Sequence, residues 1–285
     1  MPLSGSISDK AVLEGAHLAA QLFDSHIECL YVRPDAEEML APNIELDMGV
    51  PVMTPDLWTA MEKADNVRKL RAQNIFDEFC NQRNVAVGET PWASNGVTAA
   101  WLETSGDVVH EIVRFGRVSE MIFLGRGSEL TVSQGQIGAV LVGCGRPLVL
   151  VPRQVPPTFA TTVAIAWKDT AEAARALTAA MPFLTRAKKI VVLSADEGGR
   201  SVAKTIESAE RLVRTLRWDR VHTELRRLIA ESVSVPEQLL NCAYQEQADL
   251  LVMGGYSHSR ARELIFGGFT RHVLNDASLP VLLCH

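Results

Sequence analysis

The feature that most limits what this chain can fold into is the order of its apolar runs between residues 160 and 285. Short β-branched runs alternate there with longer stretches that carry apolar residues at helical spacing. TTVAIAW (161–167), KIVVLS (189–194), VHTELRRL (221–228), LLVM (250–253) and VLLC (281–284) read as five strands, the third edge-like. Apolar runs of this length, bounded by polar residues, suit a parallel sheet covered on both faces. Helices fall between them. Thr170 precedes AEAARALTAAMPFL as an N-cap, with Glu172 in the first turn. In Ser201–Arg217, the residues Val202, Ile206, Ala209, Leu212, Val213 and Leu216 share one helical face. Val235–Gln247 opens with Pro236 near its start, and a last helix covers Gly267–Asp276. Strand and helix in alternation predict a doubly wound α/β fold, whose ligands sit beyond the carboxyl ends of the strands at the topological switch point. Function is therefore expected after the first and fourth strands.

The first half repeats this order. It predicts a helix over Lys10–Phe23, a strand over Ile27–Val32 and a connection over Pro34–Pro55, followed by a charge-rich helix over Asp56–Arg83 that reads as a solvated face. Then come strand Val97–Glu103, helix Val108–Phe115, strand Met121–Leu124, a loop from Gly125, and strand Pro147–Val151. The stretch PRQVPP (152–157) is the linker. Ile27 onward matches Ile190 onward, and Pro147 onward matches Pro280 onward, which marks an internal duplication. The expected domains are residues 1–155 and 156–285. One position conflicts. The first half has only a few residues ahead of Gly5-Ser6, where a central first strand belongs. Without it, both neighbouring strands would hold unmet backbone groups. Either the sequence starts downstream of the true start or another segment fills the gap; the first explanation is preferred.

Composition narrows the function classes. A net charge of −6 opposes nucleic-acid binding, which uses basic faces. No run approaches the roughly 18–20 apolar residues that a spanning helix needs. MPLSGSISDK lacks the basic and apolar regions of a signal peptide, so a cytoplasmic, soluble protein is expected, without a membrane role. Cys29, Cys80, Cys144, Cys242 and Cys284 are scattered and suit reduced thiols. No His/Cys spacing predicts a metal site. There is no Gly-x-x-x-x-Gly-Lys phosphate loop and no Gly-x-Ser-x-Gly elbow, so no catalytic residue is assigned.

Residues 250–284, LLVMGGYSHSRARELIFGGFTRHVLNDASLPVLLC, carry the most specific pattern. A strand is followed by Gly254, by Ser257 three residues on, and by Gly267-Gly268 with Thr270 beyond; a Pro-led strand closes it. This resembles the end of universal stress proteins, which read Gly-x-x-Gly, nine residues, then Gly-Ser or Gly-Thr opening a helix. AWKDTAEAARAL is similar to that family's first strand, turn and helix. The resemblance spans the chain as a tandem, strongly over 160–285 and weakly over 1–155. Here Ser257 stands in the second glycine's place, Gly268 in that of Ser/Thr, and Lys168 in that of the acidic residue near the adenosine. The first half lacks the nine-residue spacing between Gly125-Gly127 and Pro147, and reads as a degenerate, structural half.

The resemblance implies two doubly wound parallel five-stranded sheets of the adenine nucleotide alpha hydrolase-like type, the first lacking its first strand. It implies an intramolecular pseudo-dimer in which Pro280–Cys284 pairs with Pro147–Val151, with a homodimer as a further expectation. The implied ligand is an adenine nucleotide, ATP with magnesium, held by Ala166, Trp167, Lys168, Gly254, Ser257, His258, Gly267, Gly268 and Thr270. Five of these have a second reading. The glycines serve turns and helix packing. His258 is a surface residue, and Trp167 packs in a core or interface. The expected function is non-catalytic stress response and signalling through protein partners, with a nucleotide-free scaffold, or a slow ATPase or small-molecule enzyme, as alternatives.

Overall fold

The computed structural model describes residues 1–34, 55–88, 96–126, 134–196, 202–219, 221–229, 233–255 and 267–285. In the first half, strand β1 (Pro2–Leu3) leads into α1 (Ser8–Ala20) and β2 (His26–Arg33). Next come α2 (Pro55–Arg83), β3 (Ala86–Val87), β4 (Thr98–Ser105) and α3 (Val108–Gly116). The half closes with β5 (Ile122–Gly125), α4 (Gln134–Cys144) and β6 (Leu148–Val151). The second half runs β7 (Thr162–Ala166), α5 (Ala171–Leu184), β8 (Lys189–Asp196), α6 (Val202–Leu216) and β9 (His222–Ile229). It ends with α7 (Val235–Gln245), β10 (Leu250–Gly254), α8 (Gly268–Asp276) and β11 (Val281–Cys284).

The strands form a mixed sheet of seven in the order β5-β6-β11-β10-β7-β8-β9 and one of four in the order β1-β2-β4-β3. This is a parallel α/β architecture as expected, with the strands shared four and seven rather than five and five. The physical reason is β1. It is present, which corrects the expected loss of the first strand, but it spans only Pro2–Leu3, opposite Leu30 and Tyr31. A strand this short makes no ladder to β5 among the described residues, so β5 and β6 are counted with the other half. Every strand pair is parallel except β6–β11, where Leu148, Val149 and Leu150 meet Leu283, Leu282 and Val281 antiparallel. Both strands would otherwise expose a long apolar edge.

Packing follows the strand alternation. Leu148, Leu150, Leu251, Leu283 and Met253 face one layer, while Val149, Val163, Ile165, Val252 and Leu282 face the other. The first-half helices join the same layers: Ile112 and Leu141 enter the former cluster, and Ala19 the latter. At roughly 1.5–3 kcal/mol per fully buried large aliphatic side chain, these shared layers bind the halves through hydrophobic burial. Sequence patterning explains the helices. Thr170 caps α5, its hydroxyl accepting from Ala173 N at 3.3 Å. Ala209, Leu212, Val213 and Leu216 form the buried stripe of α6. The α2 helix is less solvated than expected: Ala72, Phe76, Phe79 and Cys80 are buried, as is Asp65, which accepts from the Tyr31 hydroxyl at 2.8 Å. Among the described residues, no helix is long and apolar enough to cross a membrane.

Candidate functional site

The chain leaves β7 toward β8 on one side and returns through β10 on the other, which makes the β7/β10 boundary the switch point. The two strands are parallel neighbours with Met253 opposite Ala166, so Ala166-Trp167-Lys168 and Gly254 emerge side by side. Trp167 turns back: its amide donates to Leu193 O at 2.9 Å and its indole Nε1 to Ser208 Oγ at 3.2 Å. The ring is held against α6, in agreement with the packing reading. Lys168 and Asp169 are exposed beyond it.

The glycines separate by role. A Cβ on Gly254 would stand 2.7 Å from Ala173 N and 2.8 Å from Glu172 C. The strand end thus needs glycine to pass the first turn of α5, whatever binds nearby. Gly268 is different: among the described residues, nothing lies within 4 Å of its Cβ position. Gly267 is the N-cap of α8 and supplies no side-chain cap, so the first-turn N–H groups lack that partner. Thr270, in that turn, is buried. Ser257 and His258 lie outside the described residues, so the structure brings together Ala166, Trp167, Lys168 and Gly254 at the strand ends, with Gly267, Gly268 and Thr270 at the start of α8.

Two residues outside the sequence reading belong to this picture. Arg126 follows β5 and donates through one Nη to Ala277 O, just beyond the C-terminus of α8, where a cation is favoured. Burial pushes its guanidinium down to about 10. Nothing in the local pattern GRG marks that reach. The other is Asp9. In the first half's own switch-point loop, its carboxylate accepts from Ser4 N at 2.9 Å, Gly5 N at 2.8 Å and Ser4 Oγ at 3.1 Å. These are the backbone donors an anion would otherwise take, so this loop is already filled by its own side chain. Gly5 has φ +78°, and a Cβ there would run into Arg68 O. The sequence signal was the acidic residue in the first turn after Ser-Gly-Ser.

Burial raises the Asp9 carboxyl above its ordinary value, against the lowering pull of the Ser4 and Gly5 amides. From the ordinary value near 3.9 up to the raised one, the folded state holds more proton than the unfolded state, so stability falls as pH rises through that window. Asp9→Asn is expected to flatten this slope. Urea titrations across mildly acidic to neutral pH check it; an unchanged slope refutes the assignment.

Residues 160–285 match the model of the Universal stress protein family. The whole chain is similar in fold to a universal stress protein from Archaeoglobus fulgidus DSM 4304, with a TM-score of 0.63 and 17% identity over 96% of this chain and 92% of that one. Another universal stress protein from Archaeoglobus fulgidus aligns with 45% of this chain and 95% of its own length, at 24% identity and a TM-score of 0.36. No curated protein matches the chain. Residues 160–285 thus carry the pattern of the universal stress protein family, and the chain is similar in fold to a universal stress protein along nearly its whole length.

Proposed function

We propose that this chain is a cytoplasmic, non-catalytic stress-response protein that signals through protein partners, with an adenine nucleotide, ATP with magnesium, as the ligand of the second half. The observation that carries the nucleotide is Gly268. It opens a helix whose N-cap gives no side-chain hydrogen bond, and no packing among the described residues requires glycine there. An uncapped helix start with a clear approach suits a phosphate. A binder rather than a catalyst is supported by what nearby side chains already do: the Trp167 indole and the Thr170 hydroxyl are both engaged in structural hydrogen bonds. The cytoplasm is supported by five free thiols, four of them buried. Burial pushes Cys29 up to about 12 and Cys80 to about 11, which keeps them unreactive.

A thermal shift with ATP and magnesium, alongside native mass spectrometry of gently purified protein, tests the reading. At ligand near 100 times Kd, the stabilisation is about 2.7 kcal/mol. Gly268→Asp, which places a carboxylate at the helix start without a clash, is expected to weaken ATP at least about tenfold and leave the ligand-free melting temperature within a degree or so. The second reading, a nucleotide-free scaffold, is favoured by the Trp167–Ser208 bond, which holds the indole against α6. It prevails if millimolar ATP produces no shift.

A further inference from the structure

The larger sheet ends in β9, and among the described residues β9 has a ladder only to β8. Edge strands are usually kept from pairing by shortness, proline, a bulge or a covering segment. The smaller sheet, for comparison, ends in β3, which is two residues long. Among the described residues, β9 has none of these guards. Its eight residues, HTELRRLI, contain no proline and pair with β8 one for one, and His222 and Arg227 are exposed along it.

The hydrogen bonds of β8 show which groups of β9 face outward. Lys189 N donates to Thr161 O at 3.3 Å and Leu193 O accepts from Trp167 N at 2.9 Å, so the odd-numbered residues of β8 turn to the β7 side. Its even-numbered residues therefore bond β9, and the register of Ile190 with Thr223 and Val191 with Glu224 engages the even-numbered residues there. Thr223, Leu225 and Arg227 are left with N–H and C=O groups that point away from the sheet. Arg217 marks the same direction, donating through Nε and one Nη to Thr223 O at 3.2 and 2.9 Å. Among the described residues, the Leu225 amide and carbonyl have no such partner.

We propose that a second copy of this chain joins at this edge, β9 beside β9 and antiparallel, about a two-fold axis through Leu225 that fuses the two seven-stranded sheets. An axis normal to the sheet leaves every side chain on its own face, so the residue at the centre meets itself. The choice of centre decides the charges. At Glu224, Arg226 or Arg227, like charges would stand opposite each other, which is destabilising. At Thr223, the central carbonyl is the one that Arg217 already holds. At Leu225, Glu224 lies opposite the partner's Arg226, and Arg226 opposite the partner's Glu224. Leu225 then exchanges both backbone hydrogen bonds with itself, and the charge pairs fall at the closer, non-hydrogen-bonded positions. Within each copy these residues belong to a balanced group. Glu224 and Glu246 pair with Lys189 and Arg226, so neither sign is in excess. Trp218, 83% exposed, stands in the turn just ahead of β9, at the end of this ladder. Aromatic side chains are enriched at protein interfaces.

Sedimentation equilibrium of the full chain is expected to show a monomer–dimer equilibrium with Kd on the order of micromolar, as suits a small edge interface. Hydrogen exchange should slow at the Thr223 and Leu225 amides as concentration rises. Glu224→Arg and Arg226→Glu each place like charges opposite each other twice, and each is expected to weaken the dimer at least about tenfold. An equimolar mixture of the two variants restores unlike pairs and should dimerise again, which a mere loss of folding could not produce. Leu225→Cys tests the centre without changing charge. Facing residues there have Cα atoms about 5.5 Å apart, within disulfide reach, so mild oxidation is expected to link the copies. Arg227→Cys, whose opposite number is Thr223, should not link. Three outcomes overturn the proposal: a monomer up to about millimolar protein, a mixture no more dimeric than its components, or equal linking by the two cysteine variants.

Discussion

Gly254→Val is expected to lower the unfolding free energy by about 3 kcal/mol, near the top of the range for overpacking. The cause is the kind of atom that stands in the way. A Cβ at Gly254 meets Ala173 N and Glu172 C, at 2.7 and 2.8 Å. These are backbone atoms of the first turn of α5, which the Thr170 cap and the buried Ala173 and Ala176 hold in place. The strand cannot retreat either, because Leu250, Leu251 and Val252 are fully buried and paired on both sides. The related position in the first half offers a control. A Cβ on Gly125 meets the Val12 Cγ2 methyl at 2.6 Å, a side chain with some freedom to rotate, so Gly125→Ala should cost less than Gly254→Ala. Urea unfolding measures all three. A loss below about 1 kcal/mol for Gly254→Val would mean that glycine is there for a ligand and not for α5.

The contrast between Gly254 and Gly268 explains how far the sequence could be read. Both are glycines in one motif, and nothing in their spacing says that one is wedged against a helix while the other meets no described atom within 4 Å of its Cβ position. The second half was legible because each strand is an apolar run with polar ends: TTVAIAW becomes Thr162–Ala166, and VLLC keeps its bounds as Val281–Cys284. The joint between the halves was legible for the same reason, as two Pro-led apolar runs, and the structure pairs them antiparallel. The failures lie where pattern is absent. Pro2-Leu3 is too short to show a period; only the needs of its neighbours call for it. Gln134–Cys144 read as part of a loop because it carries three glycines and few polar residues, so no helical stripe stands out. Gly143 suits close packing, since a Cβ there would lie 3.1 Å from Val113 Cγ2. Asp65 was legible as charge but not as a buried partner of Tyr31, because that contact joins residues 34 apart in sequence.

Asp249→Ala should be comparably severe, with an expected loss of about 3 kcal/mol, because it orphans backbone donors rather than exposing surface. The Asp249 side chain is buried and its carboxylate accepts from the Thr158 hydroxyl and from the amides of Thr161 and Thr162. Without it, two amides at the start of β7 lose their acceptor, and β7 lies between β10 and β8 near the middle of the larger sheet. Hydrogen exchange should therefore accelerate first at Thr161 and Thr162. Asp249→Asn keeps one acceptor oxygen and should lose about half as much. Glu120 is its counterpart in the first half, since Ile122 pairs with Leu148 as Leu251 pairs with Val281; it is exposed, and Glu120→Ala should change stability by less than about 0.5 kcal/mol. The difference between these two alanine variants is the informative quantity. If both are silent, the carboxylate does not hold the strand in either half. If Asp249→Ala is costly and Glu120→Ala is not, the cost lies in the buried amides that Asp249 satisfies and not in the carboxylate's place at the start of its strand.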